Sequence, residues 1–198
     1  MKKIVVVCLK YSYGDPKKGF SINHGSIIEN LKKLNYDVYP VWIDEYKSDS
    51  IEDEILINLK NIKPSLIFFK IFKNEISVDF LKKLKENYFT FNWFSDDSWR
   101  FDNFSIKYLD SFSAIITTDH FAYAKYKNLN VKNLILSQHA GFKTNIDANI
   151  KYDYEVSFVG TKNKFRSWVI KYLNKKGVAV KCFGKGWSSK VLSYEQIN

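Results

Sequence analysis

With 198 residues, the chain can hold one large domain, or one domain and part of a second. It is 45% hydrophobic and 17% aromatic, which excludes a disordered or low-complexity polymer. The formal charge of +10 points to anionic partners, yet Arg100 and Arg166 are the only arginines, and a lysine excess argues against a specific reader of nucleic acid.

The chain opens on MKKIVVVCLK, an apolar run too short for a signal peptide and followed by no small-residue cleavage site. No stretch approaches a membrane-spanning length, which implies a cytoplasmic protein and leaves room only for a peripheral membrane contact. Ile4 to Leu9 reads as a β-branched strand, followed by a loop carrying Gly14, Pro16 and Gly19. A helix is expected over Ser21 to Leu34, with Ile27, Ile28, Leu31 and Leu34 on one face. Then come a strand over Val38 to Ile43 and a helix over Ile51 to Ile62, capped by Asp49 or Ser50. A third strand, Leu66 to Phe72, precedes a helix over Val78 to Leu84. The fourth strand, Phe89 to Phe94, runs into the turn SDD, with a short helix expected from about Asn103 to Leu109. Ala114 to Thr118, a helix over Phe121 to Tyr126, and Asn133 to Leu136 complete the alternation. Apolar strands alternating with helices imply an α/β fold, a Rossmann-like parallel sheet with helices on both faces.

The rhythm stops at QHAGFKTNIDANIKYD, residues 138–153, which reads as a linker between a first domain, 1–137, and a second unit, 154–198. That unit begins with a strand over Glu155 to Val159, a helix over Phe165 to Lys175, Gly177 as its C-terminal stop, and a strand over Val178 to Phe183. A lone strand-helix-strand buries little surface, so this second Rossmann-like unit is expected to be incomplete. Cys8 and Cys182 each fall inside a predicted strand and read as buried thiols rather than a disulfide.

The segment YEVSFVGTKNKFRSWVIKYLNKKGVAVKCFGKGW resembles the start of the C-terminal domain of CgeB-like (spore maturation protein) glycosyltransferases, which have the two-domain GT-B architecture. The resemblance rests on a strand ending in F-V-G, an arginine-bearing helix, a K-x-G turn and a strand ending in G-x-G-W. The aromatic strand leading into the aspartate pair, and the strand SAIITTDHFAYAKY, fit the family's N-terminal domain. It implies the acceptor-side half of an enzyme that moves a sugar from a nucleotide-sugar donor to an unidentified acceptor. Members of the family are longer, so this chain is expected to be a fragment with no activity alone. The family works without a bound metal, and the nucleotide-sugar enters as substrate, so no cofactor is expected.

Asp96 and Asp97 directly follow the fourth strand, at the carboxyl edge of the sheet where ligands bind in such folds. Sugar transfer needs a base for the acceptor hydroxyl, and these two are the candidates, the alternative being the polar start of a helix. Adjacent carboxylates without a spaced third ligand do not suggest a metal site. His139, at the start of the linker, is the third catalytic candidate. For the donor, Gly14 lies in the loop after the first strand, and Gly160, Thr161, Lys162 and Arg166 open the second unit, where a helix N-terminus and basic side chains suit a diphosphate. Trp93, Trp99 and Trp187 could stack on rings, with Trp93 expected in the core. A non-catalytic flavodoxin-like binding module, or a basic nucleic-acid-binding domain, is the competing reading.

Overall fold

The structure, a computed structural model, describes residues 2–47, 50–139 and 151–187. The chain divides into two compact units, Met1–Phe142 and Lys143–Asn198. The first holds a six-stranded, all-parallel sheet in the order β2-β1-β3-β4-β5-β6. Its strands are β1 (Lys3–Cys8), β2 (Asp37–Trp42), β3 (Leu66–Lys70), β4 (Thr90–Phe94), β5 (Ala114–Thr117) and β6 (Leu134–Leu136). The fold is α/β and Rossmann-like.

The strand order, with the right-handed rule for parallel crossovers, decides where the helices go. The step from β1 to β2 moves one way along the sheet, and every later step moves the other way. The helix between β1 and β2 therefore covers one face and all the others cover the opposite face. The crowded face holds the larger core. There α2 (Ile51–Ile62) inserts Ile51, Ile55 and Leu59, spaced by four so that they share one stripe. α3 (Val78–Asn87) adds Leu81 and Leu84, and α5 (His120–Asn128) adds Ala122 and Tyr126, over Val5, Val7, Ile67, Phe69 and Ile115. Each such fully buried aliphatic side chain contributes roughly 1.5–3 kcal/mol. The sparse face has Ile27 and Ile28 of the first helix over Ile4, Val6, Cys8 and Phe68. Farther along it Phe91 and Trp93 are only partly buried, and Ile135 is 51% exposed.

Two helical expectations need correction. The first helix is not a uniform α-helix: α1 opens as a π-helical stretch, His24–Glu29, and closes as an α turn, Asn30–Lys33. The Ser26 hydroxyl donates to Ile22 O at 2.8 Å, and Asn30 Nδ2 donates to Ser26 O at 3.1 Å. Side chains that bond the local backbone in this way loosen the regular ladder. In place of a helix over 103–109, the chain forms the short α4 (Asp97–Arg100) and a 3-10 turn, Ser105–Tyr108. At α2, Ser50 holds the N-cap position without a side-chain cap, and Asp49 lies outside the described residues.

The second unit contains β7 (Val156–Val159), α6 (Lys164–Lys175) and β8 (Val180–Phe183), with β7 and β8 parallel in a sheet of their own. The division of the chain falls inside the expected linker, most of which (140–150) lies outside the described residues. Asn163 caps α6 by accepting from Arg166 N at 2.8 Å, and Gly177 stops it with φ +86°. The tips of the two strands touch backbone to backbone. Gly184 has φ +122°, and a Cβ placed there would lie 2.5 Å from Gly160 O. Gly184→Ala should therefore abolish hydrogen-exchange protection of the β7–β8 amides while leaving those of β1–β5 intact. Gly19→Ala, at φ +73° in open space, should cost about 1–3 kcal/mol and leave both sheets formed.

Candidate functional site

Parallel strands all end at one edge, so the loops after β1, β3, β4 and β5 share a rim. The order β2-β1-β3 makes the gap between β1 and β3 a switch point, because the chain leaves those two strands in opposite directions. The loop after β1 is not a free turn there. The Asp44 carboxylate, just past β2, accepts from the amides of Lys10 at 2.7 Å and Tyr11 at 2.9 Å. Ser12 N donates to Gly19 O, Ser21 N donates to Lys10 O, and Tyr11 stacks on Phe20. The fastened loop presents Gly14 to a cleft of about 250 Å³, which Leu9, Tyr13, Asp44, Phe72 and Glu75 also line.

The rim continues on the sparse face. Lys70, the last residue of β3, places its ammonium 5.4 Å from the centre of the Trp93 ring. Burial holds the Lys70 pKa below the usual lysine range, opposed by the Cys8 and Asp96 side chains. The Cys8 thiol itself is pushed up to about 12, mainly by burial. Trp93 stacks on Phe68 and on the His139 imidazole, at 6.3 Å in each case, and its buried Nε1 has no partner among the described residues. Thr118 links the pieces: its Oγ1 lies 3.3 Å from His139 Nε2 and 3.4 Å from Ser95 O. The structure thus brings His139 to the turn that carries Asp96.

The aspartate pair is split. Asp96 is exposed and occupies the N-cap position of α4, although its side chain makes no capping bond. Asp97 is 2% exposed and points inward, which corrects its expected place among the solvent-facing catalytic carboxylates. Its Oδ1 accepts from the Ser105 hydroxyl, and its Oδ2 accepts from Thr117 Oγ1 at 2.7 Å and Tyr126 OH at 3.1 Å. Burial raises the Asp97 pKa, and the three hydroxyl donors pull it back. Three residues on, the Arg100 guanidinium lies 4.0 Å over the Phe104 ring and donates to Phe72 O, fastening the loop after β4 to the loop after β3.

The other basic and glycine candidates lie in the second unit. Gly160 N donates to Phe183 O, Lys162 N donates to Lys185 O, and Trp187 Nε1 donates to Gly160 O, each at 2.9 Å. Arg166 folds back, donating to Thr161 O at 2.7 Å and covering Phe158. Lys162 lies 5.3 Å over Trp187. Among the described residues, no three His, Cys, Asp or Glu side chains gather as a metal-binding group, and no helix is long and apolar enough to cross a membrane. Sequence reasoning missed Lys70 and Thr118. Lys70 was legible as the charged end of the apolar strand LIFFK at a ligand-binding edge.

Asp97→Ala, which strips three buried hydroxyls of their acceptor, should cost about 3 kcal/mol in urea denaturation. Asp96→Asn should stay within about 0.5 kcal/mol. The pH dependence follows from the raised Asp97 pKa. The unfolded carboxyl releases its proton first, so the fold weakens as pH rises from the unfolded value toward the folded one. Wild type should therefore gain stability relative to Asp97→Asn on acidification from neutral pH toward about 4, and the difference should level off below that.

No family model matches the chain, and no curated protein matches it. Among solved structures, the trehalose repressor of Escherichia coli aligns with 92% of the chain at 10% identity and a TM-score of 0.37. The aligned chain spans 59% of the repressor's length.

Proposed function

We propose that the protein belongs to a glycosyltransferase system that uses a nucleotide-sugar donor, with the second unit meeting the donor diphosphate and the first meeting the acceptor. The observation that carries this reading is the junction of β7 and β8. There Gly160 and Gly184 bring two strand tips into backbone contact beside the N-terminus of α6, next to Lys162 and Lys185. A helix N-terminus favours a bound phosphate, and lysine supplies the opposing charge. The resemblance of VGTKNKFR and FGKGW to GT-B sequences supports the same reading.

In the transfer, the acceptor hydroxyl attacks the anomeric carbon, the bond from that carbon to the diphosphate oxygen breaks, and the hydroxyl proton passes to a base. Asp96 fits the base: it is an exposed carboxylate at the carboxyl edge of a parallel sheet, on the turn whose Ser95 carbonyl meets Thr118, the neighbour of His139. Asp97 serves by holding that turn. Arg166 acts as a brace for the Thr161 loop rather than a free diphosphate clamp, because one of its guanidinium nitrogens is already committed to Thr161 O.

The test is an NMR titration of the chain with uridine and guanosine diphosphates. Millimolar binding should shift the amides of Gly160 to Lys164 and Gly184 to Trp187, and Lys162→Ala should weaken it. Shifts confined to the first unit, or none, would overturn the donor assignment. In a full-length version assayed by radiolabelled sugar transfer, Asp96→Asn should lower turnover by about 100-fold or more, with the melt unchanged.

A further inference from the structure

The net charge is unevenly distributed. Of the 31 cationic and 21 acidic side chains, 11 and 4 fall in residues 143–198, so the smaller unit carries +7 of the total +10. Helix α6, KFRSWVIKYLNK, has no acidic residue. At 100° per residue, its circumference sorts into three strips. Arg166, Val169, Ile170 and Leu173 face the sheet, with Ile170 8% exposed. Beside them, Phe165, Trp168 and Tyr172 form an outward ladder, exposed by 71%, 61% and 50% and stacked at 6.1 and 5.9 Å. Next round the helix, Lys164, Lys171 and Lys175 make a ridge. A groove of about 490 Å³ lies along the ridge, lined by Lys164, Ser167, Trp168 and Lys171 together with Lys162 and Asn163.

We infer that this flank of α6 docks on an anionic membrane surface, with the aromatic ladder at the acyl boundary and the lysine ridge on lipid phosphates. The inference goes beyond sugar transfer and does not depend on it. Trp and Tyr rings favour the level of the headgroups, where one edge is apolar and the other wet. Lysines beside them reach phosphate through flexible apolar stems, and a basic, acid-free helix complements an anionic leaflet. Single-stranded nucleic acid fits less well. Bases need free ring faces, and here the rings stack on one another, leaving an edge-on apolar strip. The one arginine of the helix is held by its own loop.

The test is co-sedimentation of the full chain with vesicles of phosphatidylcholine alone, or mixed with phosphatidylglycerol. The chain should bind only the mixed vesicles, and added salt should release it. Trp168→Ser and the triple change Lys164→Gln, Lys171→Gln, Lys175→Gln should each lower partitioning about tenfold or more, with circular dichroism and the melt unchanged. Any of three results would overturn the inference: no binding to anionic vesicles, equal binding by well-folded variants, or a stronger, variant-sensitive binding to oligothymidylate. So would self-association of the chain that Trp168→Ser abolishes.

Discussion

A carboxylate with no cation beside it among the described residues holds the carboxyl edge of the first unit's sheet in place. Asp97 receives hydroxyl hydrogens from the Ser105 turn, from Thr117 at the end of β5 and from Tyr126 on α5. Neutral donors do not cancel its charge, so burial still raises its pKa, but they fix its direction, because each bond comes from a different element. Asp97 is turned inward, and Asp96, one residue earlier, is exposed at the rim. Ser95 offers its carbonyl to Thr118, and Thr118 reaches His139. The exposed chemistry of the edge is the outer side of an interior constraint.

Much of the architecture was legible because it follows periodicity. Ile51, Ile55 and Leu59 mark a helical stripe, and IVVV and LIFF mark strands buried on both sides. What escaped has no period. The hydroxyl partners of Asp97 lie 8, 20 and 29 residues away along the chain. Nothing in SDD tells which of two adjacent aspartates faces inward, since a turn presents consecutive side chains in unrelated directions. The loop after β1 showed in the sequence only as a glycine-bearing loop, while the group that fastens it, Asp44, lies beyond the next strand. Lys70 and Trp93 came together only through the register of β3 against β4. The π-helical opening of α1 was hidden in ordinary serine and asparagine side chains.

Whole-chain charge was also a blunt indicator. Averaged over 198 residues, +10 suggests a mildly basic surface. Divided between the units, it describes a nearly balanced larger body and a strongly basic smaller one. In the larger unit, lysines pair with nearby acids, as in Lys10 with Glu45 and Lys125 with Asp102. Such exposed pairs contribute little to stability, but they flatten the local field. In the smaller unit, the described acidic residues, Asp153 and Glu155, both precede β7, so among the described residues none lies on α6 or after it.

The strand order also sets the sequence in which the sheet can be completed during synthesis. β1 is made before the other described strands of its sheet, yet it lies between β2 and β3, so its second edge stays open until Leu66–Lys70 has emerged. From there each new strand adds to the edge left by its predecessor, through β4 and β5 to the three-residue β6. Assembly therefore advances in one direction, with a single moving edge that is always unpaired and always apolar. Parallel pairing of this kind needs a full crossover before each gain, which slows it and prolongs that exposure. β6 is the edge strand of this sheet among the described residues, and its shortness limits the hazard there, because three residues offer a poor template to a neighbouring chain.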